Sequence, residues 1–123
     1  MKVKIDTKEK MHVITVKELK LPANMTEGIQ ELLLNFLSDT IKNIIVNFEE
    51  VNEIELMPAR ALLSIQQKFY EDNHSMVFCN LKPAVTDFLD KMDLLETMNI
   101  TPTESEAWDI VQMEEIEREL LES

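Results

Sequence analysis

Apolar positions that alternate or run without interruption predict five β-strands. The first two segments alternate, and Val3 and Ile5 fall on one face of the first. The third and fourth are apolar at nearly every position, which is typical of strands covered on both faces in a parallel sheet. The five segments are KVKID, HVITVKEL, NIIVNF at 43–48, MVFCN at 76–80 and the short ETMNI at 96–100.

Apolar residues spaced three and four positions apart predict four helices, one after each strand from the second onward. Asn24 or Thr26 can cap the first helix, and Thr103 can cap the last. Pro58 fits the first turn of the second helix, which we expect to end near Asp72. The expected buried residues are Ile29, Leu32, Leu33, Phe36 and Leu37 in the first helix, Ala59, Leu62, Leu63 and Phe69 in the second, and Val85, Phe88, Leu89 and Met92 in the third.

The resulting order, β-β-α-β-α-β-α-β-α, predicts an α/β fold. We expect a mixed sheet of about five strands, flanked by about four α-helices and joined by right-handed crossovers. The chain has 123 residues, of which 45% are apolar. This length and composition suit one domain over residues 1–123, with an acidic helical extension at about 104–123.

The charge of the chain excludes some partners and leaves others open. The net charge is −12, which argues against binding nucleic acid through its phosphates. Residues 1–20 are nevertheless net positive by three, and the remainder is net −15. The acidic part is either a solvated surface or a surface that attracts a basic protein partner. No apolar segment predicts a membrane span or a signal sequence, so we expect no membrane insertion and a cytoplasmic location.

Few residues suit catalysis, cofactors or metals. Gly28 is the one glycine, so a glycine-rich phosphate loop is impossible. Cys79, the one cysteine, lies in a predicted central strand and is expected to be a buried core residue. His12 and His74 are not brought together by their spacing. We therefore predict no catalytic residues, no metal site and no cofactor, and hence no enzyme.

The joint between the third strand and the second helix is the candidate functional site. It reads Glu55-Leu56-Met57-Pro58 and combines a carboxylate, two bulky apolar side chains and a proline. Strand-to-helix joints of parallel sheets are places where functional residues collect.

Three stretches of the chain resemble the STAS domain family, the module of anti-sigma factor antagonists and of the cytoplasmic tails of sulfate transporters. They are NIIVNFEEVNEIELMPARALL, MVFCNLKPAVTDFLDKMDLLETM and ITPTESEAWDIV. The family has a buried strand, a Val-x-x-Ile step and Asp-Ser-Ser-Gly opening a helix, followed by a strand and a Leu-x-Pro-x-Val helix start. The resemblance covers residues from about 12 to 112 and implies a STAS-type fold.

The departure from the family pattern lies at the joint, where Glu55-Leu56-Met57-Pro58 replaces Asp-Ser-Ser-Gly. In sporulation-type antagonists the second serine is phosphorylated by an anti-sigma kinase, and its counterpart here is Met57, which has no hydroxyl. The resemblance therefore implies a non-catalytic protein-interaction module of bacterial signalling without this switch. Its partner would be an anti-sigma factor or a related regulator. The implied contact residues are Glu55, Leu56, Met57, Pro58, Arg60 and Ser64.

Other interpretations of the joint stay open. Leu56 and Met57 could fold back onto the core. Glu55 could lie on the surface or at a helix N-terminus, and Arg60 could pair with a nearby acid. The domain could also be a structural subunit of a larger complex, as STAS-like subunits are in some lipid-transport machines, and a homo-oligomer is possible.

The C-terminal segment WDIVQMEEIERELLES carries a further apolar pattern. Ile110, Met113, Ile116 and Leu120 recur at spacings of three and four. We expect this stripe to pack on the sheet or on a neighbouring helix. The alternative is contact with a partner or with a second copy of the chain.

Overall fold

The computed structural model describes residues 1–122, and these form seven strands and four α-helices. Short 3-10 helices at Ala23–Met25, Asn35–Ser38 and Leu95–Thr97 complete the regular structure. The strands are β1 (Val3–Thr7), β2 (His12–Val16), β3 (Lys20–Leu21), β4 (Ile44–Asn47), β5 (Glu53–Ile54), β6 (Met76–Cys79) and β7 (Ile100–Thr101). The helices are α1 (Thr26–Leu34), α2 (Leu56–Glu71), α3 (Pro83–Lys91) and α4 (Glu104–Glu122).

Five of the strands form a mixed sheet in the order β1-β2-β4-β6-β7. β1 is antiparallel to β2, and the other neighbours are parallel. Every residue of β4 and β6 is buried, as their apolar runs predicted for strands covered on both faces. Every residue of β2 is buried as well, which its alternating pattern did not predict. The predicted α/β fold with a mixed five-stranded sheet and four α-helices is thus confirmed.

Alternate residues of each central strand pack into two different cores. In β4, Val46 joins the larger core with residues of α1, α2 and α3, whereas Ile45 joins the smaller core beneath α4. Because neighbouring side chains of a strand point to opposite faces, α1–α3 cover one face of the sheet and α4 covers the other. The smaller core contains Met11, Val13, Ile45, Val77, Cys79, Ala107 and Val111.

Two short strands, β3 and β5, form a separate parallel pair that the sequence pattern did not predict. Lys20 pairs with Glu53, and Leu21 pairs with Ile54. The predicted second strand extended to Leu19, but β2 ends at Val16. Each strand of this pair is two residues long, so neither shows a period of its own.

The last strand was predicted too early in the chain. Leu95–Thr97 is a 3-10 helix, and β7 is Ile100–Thr101. The side chain of buried Gln66 explains the shift. Its Nε2 donates to the carbonyl of Thr97 at 3.0 Å, and its Oε1 accepts from the amide of Asn99 at 2.8 Å. These backbone groups bond to a side chain, so a strand starts only after them.

Two details of the predicted helices were wrong and one was right. Neither Asn24 nor Thr26 caps α1, because Thr26 is its first residue and its hydroxyl donates to the carbonyl of Ala23 at 2.8 Å. Several residues that were expected to be buried are not: Met92 is 38% exposed, and five others are only half-buried, namely Leu32, Phe36, Leu37, Leu63 and Phe88. Thr103 does cap α4, since its Oγ1 accepts from the amide of Glu106 at 3.2 Å.

The expected packing of the C-terminal apolar stripe holds only for its first residue, Ile110, which is half-buried and packs against the smaller core. Met113, Ile116 and Leu120 are 57%, 56% and 70% exposed. The inward face of α4 instead runs from the buried Ala107 and Val111 to polar residues one and two turns later. At 100° per residue, the stripe lies on the opposite side of the helix.

Polar contacts around Asn43 hold the C-terminal half of α4 to the sheet. The Asn43 side chain donates to the carbonyl of Lys10 and to Glu115 Oε1, each at 2.9 Å, and accepts from the amide of Ser75 at 2.9 Å. Arg118 lies 3.4 Å from Asn43 Oδ1 and also donates to Ser75 Oγ. One buried amide group therefore connects α4 with the segments that precede β2, β4 and β6.

We expect Asn43→Ala to lower the free energy of unfolding by about 2–3 kcal/mol, because it leaves the buried Ser75 amide and Lys10 carbonyl without their side-chain partner. Urea denaturation followed by circular dichroism measures the change. Asn52→Ala is the matched control, since Asn52 is exposed and accepts a bond from Lys82 on the surface. The control should change stability by no more than about 0.5 kcal/mol. Equal stabilities for the two variants would contradict the role given to Asn43.

Candidate functional site

The joint before α2 is fixed by backbone and side-chain bonds to the segment that follows β3. The amide of Glu55 donates to the carbonyl of Leu21 at 2.9 Å. The Glu55 carboxylate accepts from the amide of Ala23 at 3.0 Å. Ala23 begins a 3-10 helix, so the carboxylate lies at the N-terminus of a neighbouring helix rather than of its own. The Glu55 side chain is also exposed. Both alternatives for Glu55, a position on the surface and one at a helix N-terminus, therefore hold in part.

The three residues after Glu55 differ in exposure. Leu56 is half-buried and packs against the larger core. Met57 is 60% exposed. Pro58 is buried in the first turn of α2. The alternative that Leu56 and Met57 fold back onto the core therefore holds for Leu56 but not for Met57.

Met57, Arg60 and Ser64 share the exposed face of α2, because positions three and seven residues apart on a helix lie above one another. Arg60 forms no ion pair with Glu55 or with any other acid among residues 1–122. Its guanidinium is therefore available to a carboxylate of another molecule. We call Glu55, Leu56, Met57, Arg60 and Ser64, with the buried Pro58 beneath them, the α2 surface.

A groove of about 690 Å³ lies next to the α2 surface. Its apolar lining combines Ile54 and Leu56 from the joint with Ala84, Phe88 and Met92 from the α3 region. Lys20, Asn52, Glu53 and Glu55 complete the lining. The contribution of α3 was missed, because Phe88 and Met92 were assigned to the core. The spacing of four between Ala84, Phe88 and Met92 indicates a shared face, but not that the face borders a groove.

The setting of the Cys79 thiol does not suit nucleophilic catalysis. Burial and the nearby carboxylates Glu104 and Glu49 raise the pKa of the Cys79 thiol to about 12. A nucleophilic cysteine needs the opposite shift. His12 Nδ1 lies 2.9 Å from Thr7 Oγ1, and His74 Nδ1 lies 2.9 Å from the carbonyl of Asp72. Within residues 1–122, no three His, Cys, Asp or Glu side chains are grouped as metal ligands.

The fold and the site together define a class of protein: an α/β domain whose candidate site is a surface with an adjoining apolar groove. The chain belongs to the STAS domain family, whose family model matches residues 4–107. This confirms the resemblance inferred from the sequence. No helix of the described part of the chain is long and apolar enough to cross a membrane.

Solved structures with the same fold include anti-sigma factor antagonists. One from Mycobacterium paratuberculosis has a TM-score of 0.78 and 13% identity, and the match covers 90% of this chain and 93% of that one. A STAS domain anti-sigma-factor antagonist protein from Planctomyces limnophilus has a TM-score of 0.77 and 16% identity, covering 89% and 97%. The phosphorylated form of the Bacillus cell fate determinant SpoIIAA has a TM-score of 0.65 and 19% identity, covering 89% and 99%. No curated protein sequence matches the chain.

The buried setting of Cys79 predicts a slow thiol reaction in the native protein. At mildly alkaline pH we expect a disulfide reagent such as DTNB to react at least roughly 100-fold more slowly with the folded chain than in strong urea. A raised pKa keeps the thiol protonated, and burial hinders the reagent. The rate is read from the absorbance of the released thiolate. Equally fast reaction in both conditions would mean that Cys79 is accessible and activated.

Proposed function

We propose that this chain is a non-catalytic protein-interaction module of bacterial signalling that acts in the cytoplasm in the manner of an anti-sigma factor antagonist. The partner would be an anti-sigma factor or a related regulator, bound at the α2 surface. The observation that carries the proposal is Met57, which is 60% exposed at the start of α2 and directly follows Leu56, a lining residue of the apolar groove. Membership of the STAS domain family supports it.

The chemistry of the α2 surface suits contact with another protein. Met57 is a flexible apolar side chain that adapts its shape to a partner, and the groove offers further apolar area. Arg60 can bind a partner carboxylate on the rim of that contact. Ser64 extends the same helix face by one turn, while Pro58 contributes by starting the helix rather than by contact.

We further propose that this contact is not interrupted by phosphorylation at the joint. Met57 would occupy the position at which sporulation-type antagonists carry a phosphorylated serine, and it has no hydroxyl to modify. A phosphate there would add a charge of about −1.5 to −2 next to the partner. Without it, the partner is held continuously, and another factor that competes for the same partner is released.

A second candidate function is that of a structural subunit in a larger complex. The observation that favours it is the exposed stripe Met113–Ile116–Leu120 on α4, on the sheet face opposite to α2. A subunit contacted on two sides needs two such surfaces. The two functions predict complexes of different behaviour. A signalling module would exchange its partner with competing factors, whereas a structural subunit would be retained in fixed stoichiometry.

We expect Met57→Asp to lose the regulator that wild-type protein retains. The aspartate places a charge where the partner would bury Met57, and desolvating that charge weakens binding by at least about tenfold. Affinity purification of tagged wild type and variant from the native host, with quantitative mass spectrometry, measures the loss. Binding of the purified partner is then compared by calorimetry. Folding should be preserved, because an acid is favoured in the first turn of a helix.

Leu19→Asp is the matched control, because Leu19 is 63% exposed and belongs neither to the α2 surface nor to the stripe on α4. Loss of the regulator with Met57→Asp, but not with the control variant, supports the α2 surface as the interface. Retention of the same partners by both variants would refute it. Recovery of one complex in fixed stoichiometry, without exchange when competing protein is added, would favour the structural subunit.

A further inference from the structure

The outer face of α4 carries a row of apolar side chains directed to solvent. Met113 and Ile116 are 57% and 56% exposed, and Leu120 is 70% exposed. Their spacings of three and four place them on one side of the helix, opposite to the buried Ala107 and Val111. The stripe spans about 10 Å along the helix axis. It is therefore a narrow seam, of the kind that packs against a second helix.

Acidic side chains border this seam on α4. Asp109, Glu117 and Glu119 are exposed next to it. The one basic residue of the helix, Arg118, is directed inward, where it bonds to Ser75 and lies near Asn43. Lys10 lies 3.8 Å from Glu119, and Lys8 and Lys10 line a pocket beside Ile116, so lysines of the turn before β2 border one edge of the stripe. The packing that holds α4 to the sheet thus turns the one cation of the helix away from the outer face, and the exposed charged side chains of α4 itself are all acidic.

We propose that the outer face of α4 is a docking site for a basic amphipathic helix of a partner protein. The apolar seam of that helix would cover Met113, Ile116 and Leu120, and its lysines or arginines would pair with Glu117, Glu119 and Asp109. A second copy of the chain fits less well, because two copies of α4 would bring these carboxylates together.

This site is separate from the α2 surface in two respects. The family match ends at residue 107, so the stripe lies beyond the matched residues. α4 and α2 also pack on opposite faces of the sheet, so both sites can be occupied at once. The inference therefore does not depend on the function proposed for α2.

The test uses a fluorescent synthetic helix of about 18 residues with leucines on one face and lysines on the other. Anisotropy titrations measure its binding to the full chain. We expect Ile116→Glu to weaken binding by at least about tenfold, because it places a charge in the apolar seam. Glu117→Lys should also weaken it, and added salt should reduce the affinity. Leu19→Glu is the matched control, because Leu19 is 63% exposed and lies outside both the stripe on α4 and the α2 surface, so this variant should bind as wild type does.

Further probes give the experiment distinct outcomes. A peptide of the same composition with scrambled order should bind at least about tenfold more weakly, since it has no apolar face. The proposal would be overturned if the scrambled peptide bound as tightly as the original peptide, or if Ile116→Glu bound the original peptide as tightly as wild type does. Light scattering of wild type that shows a dimer, abolished by Ile116→Glu, would assign the face to a second copy instead. Circular dichroism checks that each variant remains folded, and glutamate favours the helix.

Discussion

The side chain of Asn43 is the constraint on which the arrangement of sheet and C-terminal helix depends. It is almost fully buried, and its amide bonds to the Lys10 carbonyl, the Ser75 amide and two residues of α4. A buried amide is costly unless each of its polar atoms is bonded, so these bonds specify one register between the strands and α4. The helix is thereby held by polar contacts where its apolar contacts end.

The same constraint determines which part of α4 faces solvent. Only Ala107 and Val111 of the described helix are fully buried. In the turns that follow, Glu115 and Arg118 bond to the segments that precede the strands, and Glu114 bonds to Tyr70 of α2. Tyr70 joins them through a bond from its hydroxyl to Glu114 at 2.8 Å, and burial together with this carboxylate raises the pKa of Tyr70. Because polar residues take the inner face, the apolar stripe is left outside.

Local pattern was sufficient for the main sheet, because residues such as Ile45 and Val77 lie in strands buried on both faces. It was insufficient where a distant side chain decides the structure. Gln66 bonds to the backbone of the segment that was predicted to be the last strand. The sequence of that segment does not indicate these bonds. The stripe of α4 has helical spacing, but spacing does not say which face is buried. Similarly, the groove beside Met57 arises from the approach of α3 to the joint, which periodicity does not describe.

The two proposed binding surfaces lie on opposite faces of one sheet, and this arrangement has a thermodynamic consequence. Allosteric coupling requires an element with two arrangements that both ligands bias. The strands between α2 and α4 are fully buried, and such close-packed layers resist small displacements. The proposed contacts at Met57 and Ile116 should therefore contribute additively. A module that bound both proposed partners would hold them near each other, which would raise their effective concentration without any change in its own conformation.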